Sequence, residues 1–149
     1  MNEIQRVEKS HASGLQANVT LGNFDGLHLG HREFLSHIKE DCLNTKVQFV
    51  LVTFIPHPLK ILKPESAPFL INSYDERRTL LDEIGVDYLV EIPFTKEFSI
   101  LGPENFLNSY LFHQGIDIRK IFLGYDFSFG AQRKGDEHFL RNYLQNEMP

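Results

Sequence analysis

The run from Val47 to Phe54 is almost continuously apolar. A strand of this kind has no face to turn to water and must be covered on both sides, as strands are when a parallel sheet lies between two layers of helix. It is therefore expected at the centre of the sheet. The rest of the chain supplies the alternation that such a sheet needs. Val19 to Gly22 reads as a first strand, and after a loop rich in glycine and histidine, Phe34, Leu35 and Ile38 recur at helical spacing on a helix ending near Asn44. Pro56, Pro58, Pro64 and Pro68 predict a long loop after the central strand, because proline removes a backbone donor and fixes its own φ.

Ser73-Tyr74-Asp75-Glu76 has the form of a capping box, predicting a helix from there to about Ile84, closed by Gly85. Tyr88 to Ile92 reads as a third strand. Pro103 opens a helix with Phe106, Leu107, Tyr110 and Leu111 as its buried stripe, and Gly115 ends it. Ile121 to Leu123 reads as a fourth strand, and Phe139, Leu140, Tyr143 and Leu144 mark a last helix that stops at Pro149. The pattern predicts one α/β domain, Rossmann-like, with three layers and a mainly parallel sheet.

Composition narrows the partners. With 149 residues the chain is long enough for one real core, and 42% hydrophobic with 23% charged residues is the balance of a soluble globular protein. A net charge of −5 opposes non-specific attachment to nucleic acid, which rests on surplus Lys and Arg. Cys42 is the single cysteine, so neither a disulfide framework nor a cysteine-based zinc cluster is expected. No set of His, Asp and Glu has a zinc-ligand spacing. The segment from Met1 to Gln16 is polar and lacks the apolar stretch of a signal peptide, so a cytoplasmic protein without a membrane anchor is expected.

The segment richest in chemistry is Gly22-Asn23-Phe24-Asp25-Gly26-Leu27-His28-Leu29-Gly30-His31, between the first strand and the first helix. Ligands of open parallel sheets sit at the carboxyl ends of strands. Gly22, Gly26 and Gly30 remove Cβ atoms where a backbone turns or approaches an anion. His28 and His31 are three apart, so both rings can face one phosphate near a helix start whose free amides favour negative charge. No Gly-Lys-Ser/Thr follows, so this is not a Walker A loop.

This arrangement resembles the HxGH signature of the nucleotidylyltransferase superfamily, and the longer string from Gly22 to Gly26 resembles the prokaryotic FAD synthetases. Two further segments fall in the same order. Thr53-Phe54-Ile55-Pro56-His57-Pro58 resembles that family's Phe-x-Pro-His-Pro segment, and Gly124-Tyr125-Asp126-Phe127-Ser128-Phe129-Gly130 resembles its Gly-x-Asp/Asn-Phe-x-Phe-Gly segment, with Lys134-Gly135-Asp136 close behind. The resemblance runs from about Val19 to Tyr143. It implies a nucleotidylyltransferase fold of α/β/α layers and an FMN adenylyltransferase reaction in which FMN and ATP, with Mg²⁺, give FAD and pyrophosphate.

The same resemblance assigns roles. His28 and His31 would be catalytic, Gly22, Asn23, Phe24, Asp25, Gly26, Gly30 and Asp126 would bind ATP, and Phe54, Pro56, His57, Pro58 and Phe129 would line the flavin. No side chain is assigned to the metal. Phe127 serves equally well as core, and His11, His37, His113 and His138 read as solvated or packing residues. The family also carries a second phosphate-binding segment, Ser-Ser-Thr-x-x-Arg, and then a riboflavin kinase domain. Neither is among residues 1–149, which are expected to form an adenylyltransferase domain cut short before that segment. Two alternatives stand beside this reading: another HxGH nucleotidylyltransferase, acting on a pantetheine, nicotinamide or glycerol phosphate, and a non-catalytic flavin- or nucleotide-binding module.

Overall fold

The computed structural model describes residues 2–4, 15–24, 27, 29–56, 58–66, 73–112, 116–124, 130 and 134–147. Five strands form one sheet: β1 (Asn2–Ile4), β2 (Leu15–Leu21), β3 (Gln48–Ile55), β4 (Tyr88–Pro93) and β5 (Ile116–Leu123). Their order is β1-β4-β3-β2-β5, and every pairing is parallel. The apolar run is thus the middle strand. Its interior from Phe49 to Phe54 is buried throughout, which is what the lack of alternation demanded.

Helix α1 (Leu29–Thr45) links β2 to β3, and the link from β3 to β4 carries α2 (Pro58–Leu62), a 3₁₀ turn (Pro64–Ser66) and α3 (Tyr74–Ile84). After β4 come α4 (Lys96–Ser99) and α5 (Pro103–Phe106), the latter continued by a π-type turn over Leu107–Leu111. α6 (Glu137–Glu147) follows β5. Alternation along the strands divides the core in two. On one face Val19, Leu21, Val50, Val52, Val90 and Ile92 meet Phe106, Leu107 and Leu111, together with Leu140 and Tyr143 of α6. On the other, Phe49, Leu51 and Leu89 meet Leu35, Ile38 and Cys42 of α1 and Leu81 of α3. Helices therefore cover both faces, in the three layers the sequence pattern predicts.

Helix α3 begins and ends as its sequence requires. The Ser73 hydroxyl accepts from the Glu76 amide at 3.1 Å, the Glu76 carboxylate accepts from the Ser73 amide at 3.4 Å, and Gly85 closes the helix at φ 107°. Elsewhere the boundaries differ from expectation. β2 starts at Leu15, not Val19, because β5 pairs with it from Leu15 and β3 from Ala17, even where Gln16 and Asn18 interrupt the apolar run. β5 likewise starts at Ile116.

The polar segment before Gln16 contributes a strand that local pattern does not reveal, since Asn2 to Ile4 is held by pairing with Tyr88 to Val90. The predicted proline loop contains α2 and the 3₁₀ turn. Pro58 and Pro64 each occupy a first helical position, where the missing N–H would have had no partner anyway, so they start structure instead of breaking it. The helix opened by Pro103 changes to a wider turn at Leu107 and ends before Phe112, while Gly115 lies outside the described residues. Phe106, Leu107 and Leu111 of its expected stripe are buried and Tyr110 is half-buried.

Leu51 is fully buried beneath α1 and α3, so Leu51→Ala should cost about 2–5 kcal/mol in urea unfolding, and Ser73→Ala about 1 kcal/mol through its cap. Burial also pushes the Cys42 thiol above its ordinary pKa, so thiol reagents should label it at the rate of unfolding, not of simple encounter.

Candidate active site

The strand order reverses at β2. β3 and β4 extend to one side, and the chain then returns to place β5 on the other, so the loops after β2 and β5 part at their carboxyl ends. That is where open α/β sheets bind ligands. The registers deepen the crevice. Leu21, the last residue of β2, pairs with Val52 on one side and with Leu123, the last of β5, on the other. β3 continues three residues further, to Ile55, still paired with β4. At a rise of about 3.3 Å per residue this leaves a wall of about 10 Å beside the ends of β2 and β5.

The loop leaving β2 climbs this wall. The Gly22 amide donates to the Val52 carbonyl at 3.1 Å, and the Thr53 hydroxyl donates to the Asn23 carbonyl at 3.3 Å. Phe24 then takes φ 50° and Leu27 φ 38°, a left-handed backbone that costs energy in residues carrying a Cβ. Gly22 is required by what lies over it: a Cβ there would stand 2.6 and 2.8 Å from carbons of the Phe24 ring. That ring meets the edge of the His31 imidazole, with centroids 5.6 Å apart. The Leu27 carbonyl accepts from Arg32 Nε at 3.1 Å, tying the loop's far end to the helix it enters.

His31 lies in the first turn of α1, where no acidic side chain opposes the partial positive charge of a 17-residue helix. The structure thus brings Gly22, Asn23, Phe24, Gly30 and His31 to one strand-helix junction. Asp25, Gly26 and His28 lie outside the described residues, as do His57, Asp126 and Phe129.

Phe54 points to the opposite face from Asn23 and Phe24. It is 6% exposed, and its ring packs against Phe94, Phe98 and Phe106 at centroid distances of 6.0, 5.8 and 6.3 Å. Pro56 follows a cis peptide and is half-buried, and Pro58 opens α2. At the end of the Gly124 to Gly130 segment, Gly130 has φ 78° and lies so close to Pro103 that a Cβ would stand 2.8 Å from its backbone. Asp136 caps α6 by accepting the Phe139 amide at 2.8 Å, a structural role. His37 and His138 are exposed on helices.

Three groups that bear on the loop were not among the expected site residues. Arg77 and Glu91 are buried side chains, and Arg77 Nη1 donates to the Asn23 carbonyl at 3.0 Å. Thr53 bonds the same carbonyl. The signal was present in the sequence as one carboxylate inside the apolar strand Tyr88 to Pro93, preceded by the pair Arg77-Arg78. Among the described residues no group of three His, Cys, Asp or Glu side chains could hold a metal ion, and no helix is long and apolar enough to cross a membrane.

A family model described as FAD synthetase matches residues 10–148. The chain belongs to the FAD synthetase family. Among curated relatives, the bifunctional riboflavin kinase/FMN adenylyltransferase of Buchnera aphidicola from Acyrthosiphon pisum is 34% identical over 123 residues, 83% of this chain and 39% of the relative. The protein of that name from Escherichia coli is 34% identical over 118 residues, covering 79% and 37%. That from Bacillus subtilis is 29% identical over 118 residues, covering 78% and 37%. The chain thus spans about two fifths of the length of the curated relatives it matches.

A crystal structure described as a macrolide-efflux protein from Streptococcus pneumoniae superposes with a TM-score of 0.76 at 24% identity, over 96% of this chain and 55% of the other. That likeness supports the fold alone, a Rossmann-like arrangement of helices around a parallel sheet.

The packing of Phe24 over Gly22 gives a direct test of the loop. Gly22→Ala should displace the ring, cost about 1–3 kcal/mol through overpacking, and shift the His31 imidazole resonances in NMR spectra. Unmoved His31 signals would mean that the ring contact does not depend on Gly22.

Proposed function

We propose that the chain is an FMN adenylyltransferase domain, joining FMN to the adenylyl group of ATP to give FAD and pyrophosphate. The observation that carries this reading is the placement of the Gly22-Asn23-Phe24 turn and His31 at the topological switch point of a parallel sheet, in a member of the FAD synthetase family. The curated relatives named above carry this activity in their names. The triphosphate lies over the start of α1, where free amides, the helix dipole and the imidazoles of His28 and His31 meet its charge. Gly22, Asn23, Phe24, Asp25, Gly26 and Gly30 shape the nucleotide side, and Asp126 holds the ribose.

The phosphate of FMN attacks the α-phosphorus in line. One P–O bond forms as the α–β bond breaks, and pyrophosphate leaves with the electron pair. The nucleophile is already ionised, so no strong base and no covalent enzyme intermediate are required; catalysis consists of positioning and charge stabilisation. His28 and His31 stabilise the negative charge that grows on the departing phosphates. Mg²⁺ enters as part of MgATP and neutralises the same oxygens. Flavin lies against the segment of Phe54, Pro56, His57 and Pro58 at and after the end of β3, and the family resemblance adds Phe129 to the residues that meet it.

His31→Ala, alone or with His28→Ala, should lower FAD formation on the order of a hundredfold or more, since each removes a preorganised charge-stabilising donor. Coupled detection of pyrophosphate reads this directly, and a double variant with unchanged rate and MgATP affinity would falsify the assignment. On the flavin side, FMN fluorescence should be quenched on binding. Phe54→Ala should weaken FMN more than MgATP, because its ring belongs to the aromatic cluster at the strand end. Binding of pantetheine or cytidine substrates with no response to FMN would leave only the superfamily.

A further inference from the structure

Arg77 is 5% exposed, and its partner Glu91 on β4 is 2% exposed. Burying an ion pair contributes little net stability compared with apolar side chains of the same volume, because desolvation offsets the attraction. The bonds that Arg77 makes suggest what the burial serves. Nη2 donates to Glu91 at 3.4 Å, the guanidinium carbon lies 4.9 Å from the centroid of the Tyr74 ring, and Nη1 reaches across to the Asn23 carbonyl at 3.0 Å. Glu91 also accepts from Arg78 Nε at 2.7 Å, so two arginines of α3 grip one carboxylate of the sheet. The guanidinium is held by Glu91 and by the Tyr74 ring as well as by the loop it meets.

The carbonyl it holds belongs to the peptide between Asn23 and Phe24, and Phe24 is the residue with φ 50°. In a trans peptide the carbonyl and the following N–H point to opposite sides. Holding the Asn23 oxygen toward α3 therefore turns the Phe24 amide to the side away from α3. A flip of this peptide would put a carbonyl acceptor where an amide donor had been, and would carry the Phe24 ring off His31. The Thr53 hydroxyl alone, at 3.3 Å, is a weak guard against that; a charge-assisted donor is a stronger one.

We infer that Arg77 is a positioning residue for nucleotide binding: through the Asn23 carbonyl it fixes the peptide plane of the turn after β2, and through that plane the Phe24 ring and His31. This rests on the placement of MgATP given above. The test compares Arg77→Met and Arg77→Lys with Glu91→Gln, which weakens the ion pair but keeps the Arg77 bond to Asn23. MgATP affinity is measured by calorimetry, FMN affinity by flavin fluorescence, and stability by thermal unfolding.

Arg77→Met should raise the Kd for MgATP by about tenfold or more, as expected for a lost charge-assisted bond, with the Kd for FMN changed less than about twofold. Arg77→Lys should recover part of the loss. Glu91→Gln should lower the unfolding temperature while leaving the MgATP Kd within about twofold, since it spares the bond to the loop. Equal losses for both ligands in all three variants would reduce Arg77 to a stabilising residue. If Arg77→Met does not fold, Arg77→Lys decides: wild-type affinity for MgATP in that variant overturns the inference. Wild-type protein that binds no MgATP would overturn the functional reading, and this inference with it. A wild type that binds while Arg77→Met binds equally well overturns the inference alone.

Discussion

The burial of β3 on both faces is the constraint from which the rest of the structure follows. A strand with no solvent face needs helices on both sides, and parallel neighbours joined through helices supply them. β2-α1-β3 and the crossover through α3 to β4 cover one face, and the later helices α5 and α6 cover the other. Because every strand is parallel, all carboxyl ends lie along one edge. The reversal of order at β2 then parts two of the loops there. The crevice is a consequence of how the central strand is covered, and the further reach of β3 and β4 at their carboxyl ends gives it a wall.

The polar groups inside the α1 and α3 side of the sheet deserve separate treatment, since each costs free energy unless bonded. Thr20 donates to the Phe122 carbonyl at 2.8 Å, joining β2 to β5. Asn18 donates to Asp41 at 2.9 Å, and Asp41 in turn takes Lys120 at 3.0 Å, fastening α1 over the middle of the same two strands. Thr53 and Arg77 converge on a single loop carbonyl. Buried polarity here is concentrated on the strands and helices that frame the β2 junction, and on that face it holds elements in register where apolar contacts would let them slide.

Much of this was legible in the sequence because it depends on local or periodic signals. The continuous apolar run placed β3, the capping box and Gly85 placed α3, and the glycines from Gly22 to Gly30 marked the junction. The parts that escaped depend on pairing at long range. β1 has no pattern of its own and exists by pairing with β4, and the early starts of β2 and β5 are set by neighbours. Arg77 and Glu91 are separated by 14 residues, and the carbonyl that Arg77 bonds lies 54 residues from it, so no motif contains them. A charged residue within an apolar strand was the available sign, and it points to a buried partner without naming one.

The two faces of β3 also bear on the proposal that one strand end serves two ligands. Adjacent residues of a strand point to opposite sides. Thr53 turns to the loop after β2, while Phe54 turns to the cluster of Phe94, Phe98 and Phe106, which Tyr110 joins at 5.0 Å from Phe98. The ring of Phe54 is enclosed by its neighbours, so in the proposed flavin pocket it would act chiefly through the packing that supports the end of β3. On the other side of the strand Thr53 bonds the Asn23 carbonyl, just before the residue whose ring meets His31. On the proposed function, nucleotide and flavin would be served from adjacent residues of one strand end, Thr53 and Phe54, whose side chains face opposite layers.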